Sequence, residues 1–446
     1  MDAAGTMQSM ARRWFPNVYE GWVVVGSSAL VTLLIGASFY YGFGVFFTDI
    51  IAEFGWSVAA TALAFSLRSE IGGLAAPFVG LGIDRYGARR VMIGGVLVAA
   101  AGVVGLSYIQ SIVQFYAAMI VIAIGSSACG GQAGLAAIAT WFDRRRALAM
   151  SISTLGGGVA GILVVGIAWL VEEFGWRIAL RVLVVGMLLV GVTFSAQIRS
   201  RPRAHHQPMD GQDYFEVDGT AAPLGIMWGA PTWEVVRSRT FIFCGLAMIA
   251  ISFATTGLLV HQVSYIETRL HVPKSAAAFT ITIYTMTSIV GRIGLGMLGD
   301  RIAKRALIAG CAALIGSGIL VLTFATSYWQ AVAGIALVAP GFGGTIPLRP
   351  AMMAEYFGTK HFGTVSGVAS LMNTTGGALG PWTIGLIVDV TGEYLLGWYL
   401  AAGVALLAVP LVLLARPPRA LIERYRAEAA ADEARAGAPP PPLLVE

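Results

Sequence analysis

GIDRYGARR, residues 82–90, places one acid and three arginines within seven positions, although Val, Leu, Ile, Ala and Gly dominate the flanks on both sides. A second charged stretch, LGDRIAKR (298–305), repeats this arrangement 216 positions later. A weaker similarity connects TWFDRRRALAMSIS (140–153) with EYFGTKHFGTVSGVAS (355–370). Internal repeats of this kind predict two halves with related structures.

The composition is that of a membrane protein. Of the 446 residues, 57% are hydrophobic and 12% are charged, whereas a soluble domain carries about 25% charged residues. The net charge of +5 lies in short clusters between apolar spans, which argues against a nucleic-acid-binding face. Cys129, Cys244 and Cys311 lie inside apolar spans without metal-ligand spacing. We therefore expect three small buried side chains there, and neither a metal nor a cofactor.

Apolar spans long enough to cross a bilayer recur along the chain and predict twelve transmembrane helices. They cover approximately residues 20–47, 57–82, 90–109, 112–140, 147–171, 177–196, 240–266, 275–298, 305–325, 329–356, 362–388 and 394–416. A polar stretch divides them into six and six. The predicted organisation is an N-terminal segment (1–19), a first bundle (20–196), a linker (197–239), a second bundle (240–416) and a tail (417–446).

The distribution of basic residues predicts the orientation in the membrane. If the N-terminus lies in the cytoplasm, most loop arginines and lysines lie on the cytoplasmic side, and the outer side keeps Arg177, Arg269 and Lys274. This asymmetry follows the positive-inside rule. We therefore expect a multi-pass protein of the inner cell membrane with both termini in the cytoplasm and with membrane lipid as a partner.

GLGIDRYGARR (80–90) resembles the loop motif of the major facilitator superfamily, G-x-L-x-D-R-x-G-R-R/K, between the second and third helices. The first copy consists of Gly80, Gly82, Asp84, Arg85, Gly87, Arg89 and Arg90, and the second keeps Gly296, Asp300, Arg301 and Arg305 but has Ala303 at the place of the family glycine. The resemblance implies an all-α membrane protein with twelve transmembrane helices in two six-helix, pseudo-symmetric bundles. It also implies that these loops form a cytoplasmic latch that holds the outward-open state. Alternatively, the charges only anchor the topology.

YEGWVVV (19–25) and YYGFGVFF (40–47) resemble the first helix of monocarboxylate transporters and oxalate:formate antiporters. In that branch an arginine on the eighth helix binds the substrate carboxylate, which implies this role for Arg292. Arg292 lies eight residues before Asp300, or about 12 Å of helix, and therefore within the hydrocarbon region. Alternatively, it ties two helices together.

The chain also departs from this branch. Ser288 stands where monocarboxylate transporters carry an acid, four residues before the arginine. The helix 1 lysine of some members would fall near Tyr41, and the helix 11 lysine of oxalate antiporters has no counterpart in 362–389. The second fixed cation is thus missing from its usual place, which disfavours dicarboxylate exchange.

Further polar residues inside the spans are candidates because such residues usually face a cavity or a partner. Arg349, between Pro347 and Pro350, is a possible second anion contact, and Arg68 is another candidate. Tyr40, Tyr41, Gln132 and Asn373 would complete a cavity, although ordinary packing explains each of them equally well. The two proton-coupling candidates are Glu70, whose alternative is a structural pairing with an arginine, and His261.

These observations predict a monomeric secondary transporter of a small organic anion, in particular a monocarboxylate. It would work by alternating access, as a proton symporter or an anion exchanger. We expect no enzymatic activity, and GLGMLG (294–299) ends an apolar helix instead of following a strand, which excludes a dinucleotide fingerprint. Two alternatives remain: efflux of drug-like or hydrophobic compounds by the same fold, and a receptor or sensor that does not transport.

Overall fold

The computed structural model describes residues 19–41, 43–199, 210 and 227–435. Regular structure in these ranges consists of α-helices with two short π-helical segments, Gly36–Tyr41 and Met187–Val192. Helices occupy all twelve predicted spans. The prediction of an all-α membrane protein is confirmed.

The first six predicted spans are built from ten α-helices, because four of the spans are interrupted. The π-helical segments interrupt the first and sixth spans, a turn at Gly130 and Gly131 divides the fourth, and Ala160 divides the fifth. The helices are α1 (Glu20–Ile35), α2 (Phe43–Phe54), α3 (Val58–Tyr86), α4 (Ala88–Ser107), α5 (Ile112–Cys129), α6 (Gln132–Trp141), α7 (Arg146–Val159), α8 (Gly161–Phe174), α9 (Trp176–Gly186) and α10 (Thr193–Gln197).

The last six spans are uninterrupted helices, preceded by one short helix and followed by one more. They are α11 (Thr232–Arg237), α12 (Arg239–Leu270), α13 (Lys274–Gly299), α14 (Lys304–Thr323), α15 (Tyr328–Phe357), α16 (Phe362–Thr391), α17 (Leu395–Leu414) and α18 (Arg419–Arg435). α15 continues through Pro340, Pro347 and Pro350, and α16 continues through Pro381.

Among the described residues, nine helical stretches are long and apolar enough to cross a membrane. They are Glu20–Ser38, Ala88–Ser107, Ile112–Trp141, Trp176–Gln197, Arg239–Leu270, Ala276–Gly299, Lys304–Thr323, Tyr328–Phe357 and Leu395–Leu414. The other three predicted spans are α3, which carries Arg68 and Glu70, the pair α7 and α8, of 14 residues each, and α16, which is rich in Gly, Ser and Thr. Charges, short length and small polar residues therefore separate these three from the rest.

The chain divides into two compact units. The first comprises residues 1–68, 79–229 and 423–446, and the second comprises residues 69–78 and 230–422. The middle of α3 is thus grouped with the second unit, and most of α18 is grouped with the first.

In the first unit, an ion pair ties the end of α2 to the start of α9. The Arg177 guanidinium contacts one oxygen of the Glu53 carboxylate, and the indole of Trp176 donates to the other at 2.8 Å. The Arg177 hydrogen bond, supported by that from Trp176, holds the pKa of the Glu53 carboxyl below its ordinary value. A second guanidinium nitrogen of Arg177 donates to the carbonyl of Ile109 at 3.1 Å, so one side chain also fixes the end of α4.

In the second unit, α13 and α15 pack backbone against backbone. A Cβ atom added at Gly343 would lie 2.0 Å from the carbonyl oxygen of Ser288, and one added at Gly291 would lie 2.3 Å from that of Pro340. Small residues permit such approaches between membrane helices. Their consequence is that the face of α13 beside Arg292 is fixed against α15.

We expect Gly343→Ala to destabilise the protein by about 1–3 kcal/mol, because the added methyl group collides with backbone that cannot move aside. Gly310→Ala on α14 is the matched control, since nothing lies within 4 Å of its added Cβ. In a helix this control change stabilises by roughly 0.5–1 kcal/mol. Thermal unfolding in detergent measures both, and equal stability of the two variants would contradict the close packing.

Candidate functional site

Arg292 lies on α13 with 8% of its surface exposed. Tyr284 and Ser288 precede it at intervals of four residues, and each is 3% exposed, so the three side chains share one buried helix face. The Ser288 hydroxyl donates to the carbonyl of Thr285 at 2.8 Å, and the Tyr284 ring lies 5.5 Å from that of Phe342 on α15. Because a guanidinium remains charged even when buried, this face of α13 holds a permanent cation.

Tyr284 was not among the candidates from the sequence. Its four-residue spacing before Ser288 and Arg292 was the available signal. A tyrosine in an apolar span is usually a packing residue, and only the arginine two turns later makes that face distinctive.

Arg349 lies on α15, and its guanidinium is bonded to neutral oxygen atoms. Nε donates to the carbonyl of Thr345 at 3.0 Å, and an Nη atom donates to the side-chain oxygen of Asn373 on α16. Within the described part of the chain, Arg349 forms no ion pair with a carboxylate. A guanidinium has five N–H donors, so Arg349 retains both its charge and donors for an anion.

The two arginines are positioned by different helix contacts. Arg349 follows Gly343, which faces α13, by six residues, a rotation of about 240° around the helix. Its side chain is therefore directed away from the α13 contact and toward Asn373 on α16. The structure thus brings Arg349 and Asn373 together, two residues that the sequence had predicted separately, while Arg292 occupies the edge of the α13–α15 contact.

His261 lies on α12 and is half-buried. Its Nε2 is 3.0 Å from the carbonyl oxygen of Pro381 on α16, and its ring lies 5.7 Å from that of Tyr394. Because a carbonyl only accepts, Nε2 carries a hydrogen in this contact. The bond ties α12 to α16 and provides a structural reason for the histidine, so its predicted role in proton coupling stays a prediction.

The remaining cavity candidates are less closely defined. Arg68 and Glu70 on α3 are both half-buried, and Glu70 has no hydrogen-bond or ion-pair partner among the residues that the structure describes. Gln132 is the first residue of α6 and is half-buried. Tyr40 and Tyr41 lie in the Gly36–Tyr41 π-helical segment, but their side chains are outside the described part of the structure. Their roles stay predictions.

The two charged loops differ in their backbones. Gly87 alone connects α3 to α4, with φ +84° and ψ 154°, a conformation essentially restricted to glycine. Residues 300–303 connect α13 to α14, and Ala303 has φ −52°. The second loop therefore does not require the glycine that the motif would place there, which explains why the repeat tolerates an alanine.

The motif residues occupy the helix ends around these loops. Gly80 and Gly296 are buried within α3 and α13, Asp84 and Asp300 are half-buried at the helix ends, and Arg85, Arg89, Arg90 and Arg301 are exposed. Arg305 donates to the carbonyl of Leu413 at 3.3 Å, and its neighbour Lys304 pairs with Glu355 at 2.6 Å. These contacts hold α14 to α17 and α15, whereas the latch function stays a prediction.

We expect Gly87→Ala to destabilise the protein by about 1–3 kcal/mol, because its backbone conformation strains any residue with a Cβ atom. The matched control is Ala303→Gly in the other loop, which should cost about 0.4–1 kcal/mol through the unfolded chain alone. Thermal unfolding of both variants in detergent is the measurement. A loss at Gly87 no larger than that at Ala303 would show that the two loops share one backbone requirement.

Comparisons with known proteins agree with this architecture. Residues 28–268 and 242–435 match the family model of the Major Facilitator Superfamily. Rat monocarboxylate transporter 13 is 25% identical over 409 residues, covering 90% of each chain. Rat monocarboxylate transporter 4 is 27% identical over 414 residues, covering 90% of this chain and 83% of that one.

Solved structures show the same fold. The human organic anion transporter MFSD10 aligns with a TM-score of 0.66 at 16% identity, over 88% of this chain and 99% of that one. FucP, a Major Facilitator Superfamily transporter in the outward conformation, aligns with a TM-score of 0.65 at 14% identity, over 89% and 99% of the two chains. At these identities the likeness concerns the fold alone.

Proposed function

The chain belongs to the major facilitator superfamily, and on that premise we propose that it carries a small organic anion, a monocarboxylate, across the membrane by alternating access. It is a multi-pass membrane transporter, not an enzyme. The named monocarboxylate transporters among its relatives support the choice of substrate class. The proposal includes a monomer in the inner cell membrane, with both termini in the cytoplasm.

The observation that carries the proposal is the bonding of Arg349. Its guanidinium is held in place by Thr345 and Asn373, two neutral partners that orient the side chain without neutralising it. A cation inside a membrane helix costs several kcal/mol unless an anion or dipoles compensate for it. A substrate carboxylate would supply that compensation, and the planar guanidinium would present parallel donors to both of its oxygens.

Arg292 is the second proposed anion contact. It corresponds to the helix 8 arginine that the resemblance implies, and its buried face also carries the Tyr284 ring. A short monocarboxylate has one charged end and one apolar end. A guanidinium followed by an aromatic ring along the same helix face suits both ends.

The mode of coupling is also a proposal. Glu70 is a half-buried carboxylate on α3 with no partner among the described residues, so it is the proposed proton carrier of a symporter. A group that binds and releases protons during each cycle cannot be permanently held by a salt bridge. Exchange of one anion for another would need no such group.

We expect Arg292→Lys and Arg349→Lys each to lower kcat/KM for uptake of short-chain monocarboxylates by about 10–100-fold. Lysine keeps the charge but loses the parallel donors, and a hydrogen bond to a charged group is worth about 1.5–3 kcal/mol. Uptake of labelled substrate into proteoliposomes is the measurement, and Arg424→Lys on the exposed α18 is the matched control.

The same assay distinguishes the alternatives. Wild-type rates in both lysine variants, together with export of apolar compounds, would favour efflux. Binding of monocarboxylates without any flux would favour a receptor. Either outcome would contradict the proposed function.

For coupling, we expect Glu70→Gln to abolish uptake driven by a pH gradient while leaving exchange of internal for external substrate within about twofold of wild type. Glutamine keeps the shape of the side chain but does not titrate. Glu172→Gln, which removes an exposed acid on α8, is the control. Uptake by Glu70→Gln that still follows the pH gradient would exclude Glu70 as the proton carrier.

A further inference from the structure

We propose that the turn between α6 and α7 is the docking site for the central linker, and that the carboxylate of Asp210 is the docking group. Asp210 lies 65–67 residues beyond this turn in sequence. One of its oxygens accepts hydrogen bonds from the backbone N–H groups of Asp143 at 3.0 Å and Arg144 at 2.9 Å, and the other accepts from Arg145 at 3.3 Å.

Three consecutive backbone donors converging on one carboxylate make a specific contact. They lie at the start of α7, where the helix dipole also favours a negative charge. The side chains of Asp143, Arg144 and Arg145 are exposed, so water would otherwise reach these N–H groups. Hydrogen bonds to an ionised acceptor are about twice as strong as neutral ones, which favours the docked linker over water.

The conformation of Asp210 supports the same inference. Its φ is +60°, a left-handed value that most residues with a side chain avoid and that aspartate tolerates better than most. An uncommon backbone conformation persists where surrounding contacts determine it. Here the three hydrogen bonds of the carboxylate are those contacts.

The docking surface is rigid because the side chain of Arg146 fixes the turn. Arg146 is 6% exposed, and its guanidinium donates to the carbonyls of Phe142 at 2.8 Å and Ala139 at 3.3 Å and to the carboxylate of Asp143 at 3.0 Å. The donors that receive Asp210 are therefore held in place before the linker binds.

The start of the linker is anchored at the same place. The indole of Trp141, the last residue of α6, donates to the carbonyl of Arg199 at 2.7 Å, and the guanidinium of Arg199 pairs with Glu20 at 2.8 Å. The linker is thus attached to the first unit at Arg199 and again at Asp210, eleven residues later. From Asp210 to Met227 the chain can reach at most about 60 Å, compared with about 100 Å from Arg199. Docking therefore shortens the tether, whatever the substrate is.

The test is hydrogen exchange at the amides of residues 143–145 in the full-length protein in detergent. Asp210→Gly removes the carboxylate and retains the backbone conformation, and Asp210→Asn retains the shape but removes the charge and one acceptor oxygen. The matched control is Asp213→Asn, the same change three residues further along the linker. The amides of Ala137, Ile138 and Ala139 in α6 report whether the fold is intact.

We expect exchange at residues 143–145 to accelerate at least about 10-fold in both Asp210 variants, with no change in Asp213→Asn or at residues 137–139. Exchange in Asp210→Gly as slow as in the wild type would overturn the docking. Equally rapid exchange in all four proteins would also overturn it. Slow exchange in Asp210→Asn would overturn the role of the charged carboxylate.

Discussion

The absence of water around the membrane helices is the constraint on which the rest of the structure depends. Every buried polar group must find its partner within the protein or in a bound solute. Thr345 and Asn373 supply neutral oxygens to Arg349, Pro381 supplies a carbonyl to His261, and Phe142 and Ala139 do so for Arg146. In this setting a cation without a carboxylate, as at Arg349, is a meaningful exception because it leaves electrostatic attraction for a substrate.

Most of the architecture was predictable because hydrophobicity in lipid is a local property of the chain. Span positions, the division into halves and the charged loops could all be read from residue types in order. The partners of the polar side chains could not, because they depend on helix rotation and on contacts between distant segments. The sequence proposed Arg349 and Asn373 separately, and only the rotation of α15 toward α16 shows that they form one unit. Tyr284 was missed for the same reason.

Asp210 and Ala303 illustrate the limits of motif and composition. The linker was predicted to be a solvated connection, since its composition is polar and aperiodic, yet Asp210 is fixed by three backbone donors 65–67 residues earlier in the chain. Ala303 looked like a defect in a repeated motif, but its ordinary φ shows that the second loop has its own geometry. Both cases depend on backbone conformation, which residue type determines only weakly outside glycine and proline.

The π-helical segment Gly36–Tyr41 has a mechanical consequence. Its i→i+5 hydrogen bonds accommodate one residue more than an α-helical turn of the same rise. Conversion of this stretch to α-helix, or migration of the wide turn along the chain, rotates everything beyond it by about 100° relative to α1. α2 can therefore turn about its axis while the helix remains hydrogen-bonded throughout, a screw-like adjustment that neither a proline kink nor a flexible loop provides.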